Sequence, residues 1–525
     1  MQINKYSLYE QSFISTINYT NSFVIPFTSI LTSPSGKIFN VNGFYDNNNS
    51  WKLRFVPNEV GMWSGITTST DTNLHNKNIN FECISSEQQG FIKKDIKNPY
   101  CIKYENGDYF LPIGDIGSGF PMNQTSKQPT SNWKKYFDEM LNTTKTNHLF
   151  CYMITNPSWN KNGYCAWAFG GTPESPDFNK YNIEQFQFYD EVINYAYSKG
   201  IVISLILLDW TTEPKDYPSN ILTTTQKQAF YKYTIARLAH HKNIIWNLYW
   251  DISANQQFVK DEGNYIKSID PYNHLLTSHQ KRDTGYSYAT ENWSDIISLE
   301  TLDELDGNDI KNWRIYNKPV IISEDRYSWY RWPDNPPYFF RRLLWTSILS
   351  GGSSTWGETE GAYTTTADYE LYSDPDCNRH GGKRDFKYIH KFFKENNIQF
   401  WNMQPHDELV SSGNKCLAKL GNKYIIYLSN PDSGGIYTKD YGCGGSDHNS
   451  INSNKIVVPH VIINLSSVSI NTTLNVEWYN PRTGIYQGQT TTQGGVQKIF
   501  ISPSTEDWVL HIYCSTTLCD FTITQ

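Results

Sequence analysis

The stretch NIIWNLYWD, residues 243–251, decides the fold of this chain. It is an apolar, β-branched run bounded by polar residues, which is the pattern of a parallel strand buried on both faces. The stretch KPVIISE, residues 318–324, repeats this pattern. Both stretches end on an acid, so we predict that Asp251 and Glu324 lie at the C-terminal ends of two parallel strands.

Alternation of strands and helices extends from residue 93 to about residue 400. The eight predicted strands cover residues 109–115, 148–154, 201–208, 243–250, 274–278, 295–300, 319–324 and 353–357. Helical patterns lie between them at residues 131–146, 182–199, 223–241, 303–313, 337–350 and 384–397. Eight repeats over roughly 300 residues have the size of a closed (β/α)8 barrel. An open, doubly wound sheet alternates similarly, but the Gly-rich phosphate loop of that fold does not follow the first strand here.

Short alternating strands flank the barrel on both sides. Residues 1–92 and 404–525 have Gly, Pro and Asn clusters between strands and no helical periodicity, which predicts two antiparallel β-sandwiches. The predicted fold class is therefore α/β, with a TIM barrel at residues 93–403 between an N-terminal and a C-terminal β-sandwich domain. Residues 431–455 are rich in Gly, Ser and Asn and are predicted to form a mobile insertion.

Composition argues against several classes of partner. The 525 residues carry a net charge of -7 and no long basic run, so neither nucleic acid nor an anionic membrane is expected. No apolar stretch has membrane-spanning length and no secretory pattern begins the chain, so we expect a soluble protein of undetermined compartment and oligomeric state. The nine cysteines lack metal-site spacing, so no metal or other cofactor is expected. Cys514 and Cys519 are as compatible with a bridge as with a free pair.

The two strand-end acids would share one mouth of the barrel, where this fold carries its active sites. Cleavage of a glycosidic bond needs one carboxylic acid to protonate the leaving oxygen and one carboxylate to attack the anomeric carbon. Glu324 suits the nucleophile, because neighbours such as Arg326 would keep it ionised. Asp251 suits the acid, because Trp250 supplies an apolar setting of the kind that raises a carboxyl pKa. The alternative is that each acid only caps a helix or pairs with an arginine.

Four other residues are predicted to rim the same site, with a carbohydrate as the expected partner. Trp250 and Arg326, beside the two acids, are also expected to contact this substrate. Asp115, at the end of the first strand, could bind sugar hydroxyls or cap the next segment. His279 and Glu300 end the fifth and sixth strands, and Trp356 ends the eighth as a stacking platform or a core residue. The 17 Trp and 37 Tyr residues suit stacking on sugar faces and equally suit large β-rich cores.

Six motifs, in order along the chain, resemble one family of three-part proteins. They are YDNNNSWKLRFVPNEVGMWSG (45–65), YENGDYFLPIGDIG (104–117), IIWNLYWD (244–251), KPVIISEDRY (318–327), RRLLWTSILSGGSSTWG (341–357), and VEWYNPRTGIY (476–486) with ISPSTEDWVLHI (501–512). The family joins an N-terminal β domain of unknown function, an apiosidase-like barrel and a C-terminal domain whose name refers to collagen binding. Its members are glycoside hydrolases.

The resemblance covers nearly the whole chain and implies roles for individual residues. It places Asp115 on the acid of the opening barrel motif and the acid/base role on Asp251. It places the nucleophile on Glu324 and brings Tyr327, from the same motif, into the substrate site. The implied activity is hydrolysis of a glycosidic bond in a poly- or oligosaccharide by a two-carboxylate, retaining mechanism.

The chain departs from the family pattern near the acid. Tyr249 and Trp250 replace two glycines, Ile116 replaces a threonine after Asp115, and the usual histidine of the eighth strand is absent. These changes motivate an alternative, a catalytically inactive carbohydrate-binding or surface structural protein. Carboxylates about 5 Å apart would indicate retention and a gap of about 6.5–9.5 Å inversion. A Trp250 side chain wedged between the acids would indicate the inactive protein.

Overall fold

The computed structural model describes residues 1–118, 122, 132–154, 166–209, 218–282, 284–301, 305–325, 339–357, 385–429 and 458–514. The predicted insertion at 431–455 lies outside these residues, and so do Arg326 and Tyr327. Strand-rich regions at both ends of the chain enclose a central barrel, so the predicted fold class is confirmed.

Eight N-terminal strands form two facing sheets. They are β1 (Gln2–Asn4), β2 (Tyr9–Ile14), β3 (Phe27–Thr32), β4 (Ile38–Asn42), β5 (Phe44–Tyr45), β6 (Ser50–Phe55), β7 (Gly61–Ser69) and β8 (Asn78–Ile84). The sheet orders are β1-β8-β7-β3-β4 and β2-β6-β5. Alternate residues of β6, namely Trp51, Leu53 and Phe55, are buried in the core between the sheets, as expected for strands with one solvated face. Neighbouring strands are antiparallel except β1, which pairs with β8 in parallel.

A small antiparallel sheet closes the bottom of the barrel. It contains β9 (Ile92–Lys94), β10 (Ile102–Tyr104) and β11 (Tyr109–Phe110), whose side chains pack against the lower ends of the barrel strands. The strand predicted at 109–115 is therefore wrong in its bounds, because the first barrel strand begins only at Gly114. Pro112, which has no N–H to donate to a ladder, separates the two short strands.

The barrel has eight parallel strands. They are β12 (Gly114–Ser118), β13 (His148–Tyr152), β16 (Val202–Asp209), β17 (Ile244–Trp250), β18 (Leu276–Thr277), β19 (Ile297–Glu300), β20 (Val320–Glu324) and β21 (Ser353–Gly357). A hairpin of β14 (Phe169–Thr172) and β15 (Ser175–Tyr181) follows β13. The sheet order is β18-β17-β16-β13-β12-β21-β20-β19. The amide of Asp295, just before β19, donates to the carbonyl of Leu276 at 2.8 Å and joins the two outermost strands.

The helices surround this barrel. They are α1 (Asn132–Glu139), α2 (Ile183–Ser198), α3 (Pro218–Ile221), α4 (Thr224–Leu238), α5 (Gln257–Ile269), α6 (Asn308–Trp313), α7 (Phe339–Leu349) and α8 (Phe386–Glu395). A capping box fixes the start of α4, because Thr223 and Gln226 each bond the backbone N–H of the other. None of the described helices is long and apolar enough to cross a membrane.

Helix α5 is absent from the sequence prediction. Gly263 in its centre weakens the local helical signal. A Cβ atom on Gly263 would lie 2.3 Å from the ring of Trp293, so close packing against that indole requires glycine. A tertiary contact therefore outweighs the poor local propensity.

The C-terminal strands form a six-stranded sheet and a separate pair. They are β22 (Gln404–Pro405), β23 (Asn414–Lys419), β24 (Lys423–Leu428), β25 (His460–Asn464), β26 (Thr473–Asn480), β27 (Ile485–Gln493), β28 (Gln497–Ile501) and β29 (Trp508–Tyr513). The larger sheet has the order β22-β23-β24-β29-β26-β27, and β25 pairs with β28. All of these neighbours are antiparallel. Cys514 is disulfide-bonded.

Buried ion pairs fasten the N-terminal sheets to the barrel. Arg54 on β6 contacts Glu10 at 2.7 Å and Asp190 of α2 at 2.9 Å, and Arg237 of α4 contacts Asp46 at 2.6 Å. Burial alone would raise the pKa of the Asp190 carboxyl, but the nearby Arg54 charge outweighs burial and lowers it. The charged form of Asp190 is therefore stabilised at this junction.

Candidate active site

Four polar side chains converge at the C-terminal mouth of the barrel. Asp251 directly follows β17, His279 lies just after β18, and Glu300 and Glu324 are the last residues of β19 and β20. One polar atom of each lies within 4.8 Å of those of the other three. The structure thus brings together four of the residues singled out from the sequence.

Asp251 has an unusual backbone conformation that shapes this cluster. Its φ of 55° lies in the left-handed region, which aspartate tolerates better than most residues. Two hydrogen bonds hold the turn: the Asp251 amide donates to Nδ1 of His279 at 3.3 Å, and the Ile252 amide donates to the His279 carbonyl at 3.2 Å. The Asp251 side chain is 34% exposed, against 6% for Glu324. Asp251 is therefore the acid more open to water.

A β-bulge places Glu300 beside Glu324. Leu299 pairs with Ile322, but the next pair is Glu300 with Glu324, so Ser323 is an extra residue in β20. The Ser323 hydroxyl donates to the Leu299 carbonyl at 3.0 Å and accepts from Ser298 at 2.7 Å. These bonds give the extra residue polar partners and align the two carboxylates on adjacent strands.

His279 lies between the two proposed catalytic acids. Its Nδ1 is 3.6 Å from a carboxylate oxygen of Asp251, and its Nε2 is 3.8 Å from one of Glu324. Burial, and secondarily the charge of Arg282, lowers the pKa of this imidazole to about 3, so the ring is neutral. Because Nδ1 accepts the Asp251 amide, the ring hydrogen is assigned to Nε2, which faces Glu324.

The residues that replace the two family glycines do not separate the acids. The Trp250 ring stacks on the His279 ring at 3.7 Å and contacts Phe150 and Tyr152 inside the barrel. An indole between the acids would need about 7 Å between their oxygens, two contact distances, and the observed gap is at most 4.8 Å. Tyr249 bonds outside the barrel, where its hydroxyl donates to Glu262 of α5 at 2.6 Å.

Glu300 is a third carboxyl group beside this pair. Burial and the nearby charge of Asp251 raise its pKa to about 8, although Arg282 lies 2.9 Å away and opposes the shift. The net shift of the Glu300 pKa is upward. A carboxyl group that is only 6% exposed and lies next to a second carboxylate gains little from one partly exposed arginine. The proton that this raised pKa retains is shared between Glu300 and Asp251, two carboxyl groups in one cluster.

Stability should fall with rising pH because of Glu300. The folded pKa of about 8 exceeds the ordinary 4.5, so the folded state binds the proton more tightly and loses that advantage as pH rises through this window. Glu300→Gln mimics the neutral acid and does not titrate. We therefore expect the melting temperature of this variant minus that of wild type to be larger at pH 8.5 than at pH 5. Thermal unfolding at both pH values, with Glu184→Gln on the exposed face of α2 as the control, measures this. An unchanged difference would show that Glu300 is already ionised at pH 5.

The structure does not bring Asp115 into the cluster. It is the second residue of β12, not a strand end, and its fully buried carboxylate accepts a 2.6 Å hydrogen bond from Tyr136 of α1. Its predicted position at a strand end is wrong, because the first barrel strand begins at Gly114, and its role toward substrate stays a prediction. Trp356 lies in β21 opposite Asp115, and its stacking role stays a prediction, as do the roles of Arg326 and Tyr327.

Two residues of the site escaped the sequence reasoning. Arg282 pairs with Glu300, and no local pattern marks it out. Asn247 lies inside β17, where its side-chain oxygen accepts the His279 amide at 3.2 Å. A fully buried amide in an otherwise apolar strand was the available signal, because such a group needs a hydrogen-bond partner.

The four-residue cluster also has the spacing of a cation site. The His279 ring offers no lone pair in this arrangement, since Nδ1 accepts the Asp251 amide and Nε2 carries the hydrogen. Three carboxyl groups remain, and Arg282 engages one oxygen of Glu300 at 2.9 Å. The donor set therefore fits acid–base chemistry better than a resident metal.

A parallel barrel with paired carboxylates after its fourth and seventh strands defines a glycoside hydrolase. Residues 103–397 match the family described as apiosidase-like, catalytic domain, and the chain belongs to that family. Residues 2–70 match a domain of unknown function, DUF5060. These two matches confirm the N-terminal and barrel parts of the resemblance seen in the sequence, and the C-terminal part stays a prediction.

Solved structures share this fold. A candidate glycoside hydrolase from Bacteroides vulgatus ATCC 8482 has a TM-score of 0.74 at 17% identity, over 98% of this chain and 99% of that one. A glycoside hydrolase family 5 protein from the same organism has a TM-score of 0.61 at 19% identity, over 81% of this chain and 94% of that one. No curated protein matches the sequence.

Proposed function

We propose that this protein hydrolyses a glycosidic bond in an oligo- or polysaccharide with retention of configuration, with Glu324 as nucleophile and Asp251 as acid/base. The observation that carries the proposal is the gap of at most 4.8 Å between oxygens of these two acids at the barrel mouth. Retaining enzymes hold their carboxyl groups about 5–5.5 Å apart, whereas inverting enzymes leave about 6.5–9.5 Å for a water molecule.

The environments of the two acids support this division of roles. Glu324 is 6% exposed and faces the Nε2 hydrogen of His279, a setting that favours an ionised, well-oriented nucleophile. Asp251 is 34% exposed, so it can reach a leaving oxygen and afterwards take a proton from an incoming water. Asp251 and Glu300 lie close enough to share one proton, which lowers the negative charge of the cluster and is available on Asp251 for the leaving oxygen.

The reaction then needs two steps. Glu324 attacks the anomeric carbon while Asp251 protonates the departing oxygen, which leaves a covalent glycosyl ester on Glu324. Water, deprotonated by Asp251, next attacks the same carbon and releases Glu324. The test is the release of reducing ends by the wild type compared with Glu324→Gln and Asp251→Asn.

His279 acts as a positioning residue in this proposal. In His279→Phe the aromatic stack on Trp250 persists, but the Nε2 donor toward Glu324 is lost. We expect kcat to fall roughly 10-fold, because Glu324 loses a polar neighbour whose Nε2 lies 3.8 Å from its carboxylate oxygen. The acidic limb of the kcat/KM profile should move to higher pH, since Glu324 loses a group that favours its ionised form.

His279→Gln is the matched variant, because its amide can restore a donor. Partial recovery of kcat and of the acidic limb would support the positioning role. A drop in kcat without any movement of the pH profile would contradict it and assign His279 to packing alone.

The inactive carbohydrate-binding alternative rested on Tyr249 and Trp250. Since Trp250 stacks on His279 and Tyr249 bonds outside the barrel, neither blocks the pair of acids. The geometry therefore favours the hydrolase.

A further inference from the structure

A cavity of about 340 Å³, separate from the cluster of acids, lies where the N-terminal sheets meet the barrel. Its walls come from the segment before β3, from β5, from the β14–β15 hairpin and from α4. The aromatic residues on these walls include Phe23, Tyr45, Phe178, Tyr181 and Tyr233. The volume is that of a ligand pocket for a small molecule or one or two sugar rings.

The aromatic walls are preorganised. Phe23 makes edge-to-face contacts with Tyr45 at 5.2 Å, Tyr181 at 5.2 Å and Tyr233 at 5.5 Å. Tyr181 and Tyr233 stack at 4.3 Å. Phe23, Tyr45 and Phe178 are only half-buried, so apolar ring surface is available without any rearrangement.

Polar groups accompany these rings. Asn179, Gln226 and the half-buried Lys232 also line the cavity, and the Gln226 carboxamide donates to that of Asn179 at 3.5 Å. The phenol oxygen of Tyr181, a residue with 7% exposure, has no hydrogen-bond partner among the described residues. Aromatic surface combined with a few hydrogen-bonding groups is what a sugar requires, since its ring has an apolar face and a polar edge.

The cavity lies on the same side of the barrel as the catalytic acids. The hairpin belongs to the connection that follows β13, and α4 begins in the connection that follows β16. Such connections leave a barrel at the C-terminal ends of its strands, where Asp251 and Glu324 also lie. Part of the cavity wall therefore comes from connections at the end of the barrel that holds both acids.

The walls cannot easily separate. The Tyr233 hydroxyl donates to the backbone carbonyl of Tyr45 at 2.9 Å, and the side-chain amide of Asn21 donates to the backbone carbonyl of Asn179 at 2.9 Å. The buried Arg54–Asp190 and Arg237–Asp46 pairs join the same two regions. The cavity is thus a lasting feature of the junction.

We propose that this cavity is a secondary glycan-binding subsite, which holds a sugar unit of a polysaccharide away from the point of cleavage and gives the N-terminal domain a role in substrate binding. The choice of a glycan as the ligand rests on the proposed hydrolase function, because part of the cavity wall lies at the end of the barrel where the substrate would bind. The positive charge of Lys232 favours an acidic sugar over a neutral one, and the polymers used in the test distinguish acidic from neutral sugars.

The test uses the full chain carrying Glu324→Gln, so that binding is measured without turnover. Affinity electrophoresis is run through β-1,4-xylan, β-1,4-mannan, mixed-linkage β-glucan and polygalacturonate. Phe178→Ala removes an aromatic wall, and Ala229→Trp fills the cavity from an exposed position on α4 without removing a core contact. Tyr316→Ala, a half-buried aromatic at the opposite end of the barrel, is the matched control.

We expect both wall variants to weaken binding of at least one polymer about tenfold, the value of one aromatic contact, and the control to leave it unchanged. Turnover of short oligosaccharides by otherwise wild-type protein should be the same with and without these changes. Polymer binding that is equal in all variants, or absent in all, overturns the subsite. Weaker binding in the wall variants, with no hydrolysis by wild type, would keep the subsite and reject the hydrolase.

Discussion

Replacing Glu324 by Gln or Asp251 by Asn is expected to lower kcat by about 10³-fold or more, the largest effect in this protein. Each change preserves the size of the side chain and removes one function of the pair, the attack on the anomeric carbon or the transfer of the proton. Loss of either step stops turnover because the other carboxylate cannot replace it. Release of reducing ends from a panel of plant and microbial polysaccharides measures the effect.

The controls separate loss of chemistry from loss of structure. Glu184→Gln changes an exposed acid on α2 and should retain full activity. Unchanged melting temperatures for the Glu324 and Asp251 variants would exclude unfolding as the cause. Addition of azide to Glu324→Gly should restore turnover, because a small anion can occupy the place of the missing nucleophile. Full activity in either carboxylate variant would reject the assigned pair.

The stereochemistry of the first product provides an independent check. A proton NMR spectrum taken early in the reaction should show the anomer of the substrate, since two displacements restore the configuration. The inverted anomer would contradict the gap-based assignment and make Asp251 and Glu324 an acid and a base acting on water.

Replacing Asp507 by Asn is expected to give the largest loss of stability, about 3 kcal/mol, because the buried Arg341 loses one of its two counter-charges and keeps only Asp385, at 2.5 Å. Arg341 of α7 is 4% exposed and forms two 2.8 Å hydrogen bonds to the Asp507 carboxylate. Tyr427 and Arg482 also bond this carboxylate, each at 2.9 Å. The pair therefore fastens the C-terminal sheet to the barrel.

The pH dependence of this pair has a defined sign. Burial would raise the pKa of Asp507, but Arg341 and Arg482 outweigh it and hold the pKa below the ordinary 3.8. A lowered folded pKa gives stability that is complete above the ordinary value and is lost as pH falls below it. Wild type should therefore lose more stability between pH 7 and pH 3 than Asp507→Asn does.

Urea unfolding at both pH values measures these differences. Lys134→Met is the matched control, because its partner Glu191 is 56% exposed and such surface pairs contribute little. If Asp507→Asn unfolds at the same urea concentration as wild type, the junction is held by apolar packing, and the ion pair is neutral in its net effect.

The sequence by itself determined the positions of the central strands and of the two acids at their ends. Buried parallel strands require unbroken apolar runs, so the strand ending before Asp251 and the strand ending at Glu324 were visible locally. Because every strand of such a barrel points the same way, strand-end acids must meet at one mouth. The helix α4 was likewise encoded by its own capping box.

Tertiary structure alone decided the geometry around those acids. The bulge at Ser323, the left-handed φ of Asp251 and the orientation of His279 depend on which residues lie opposite one another on neighbouring strands. These strands are far apart in sequence, and periodicity reports only which residues are buried, not what they face. The pKa of Glu300 depends on the distance to Asp251, and the neighbours of Asp115 depend on where its strand begins, which is later than its apolar pattern suggests. Such properties arise from distances between side chains, and only the folded chain fixes them.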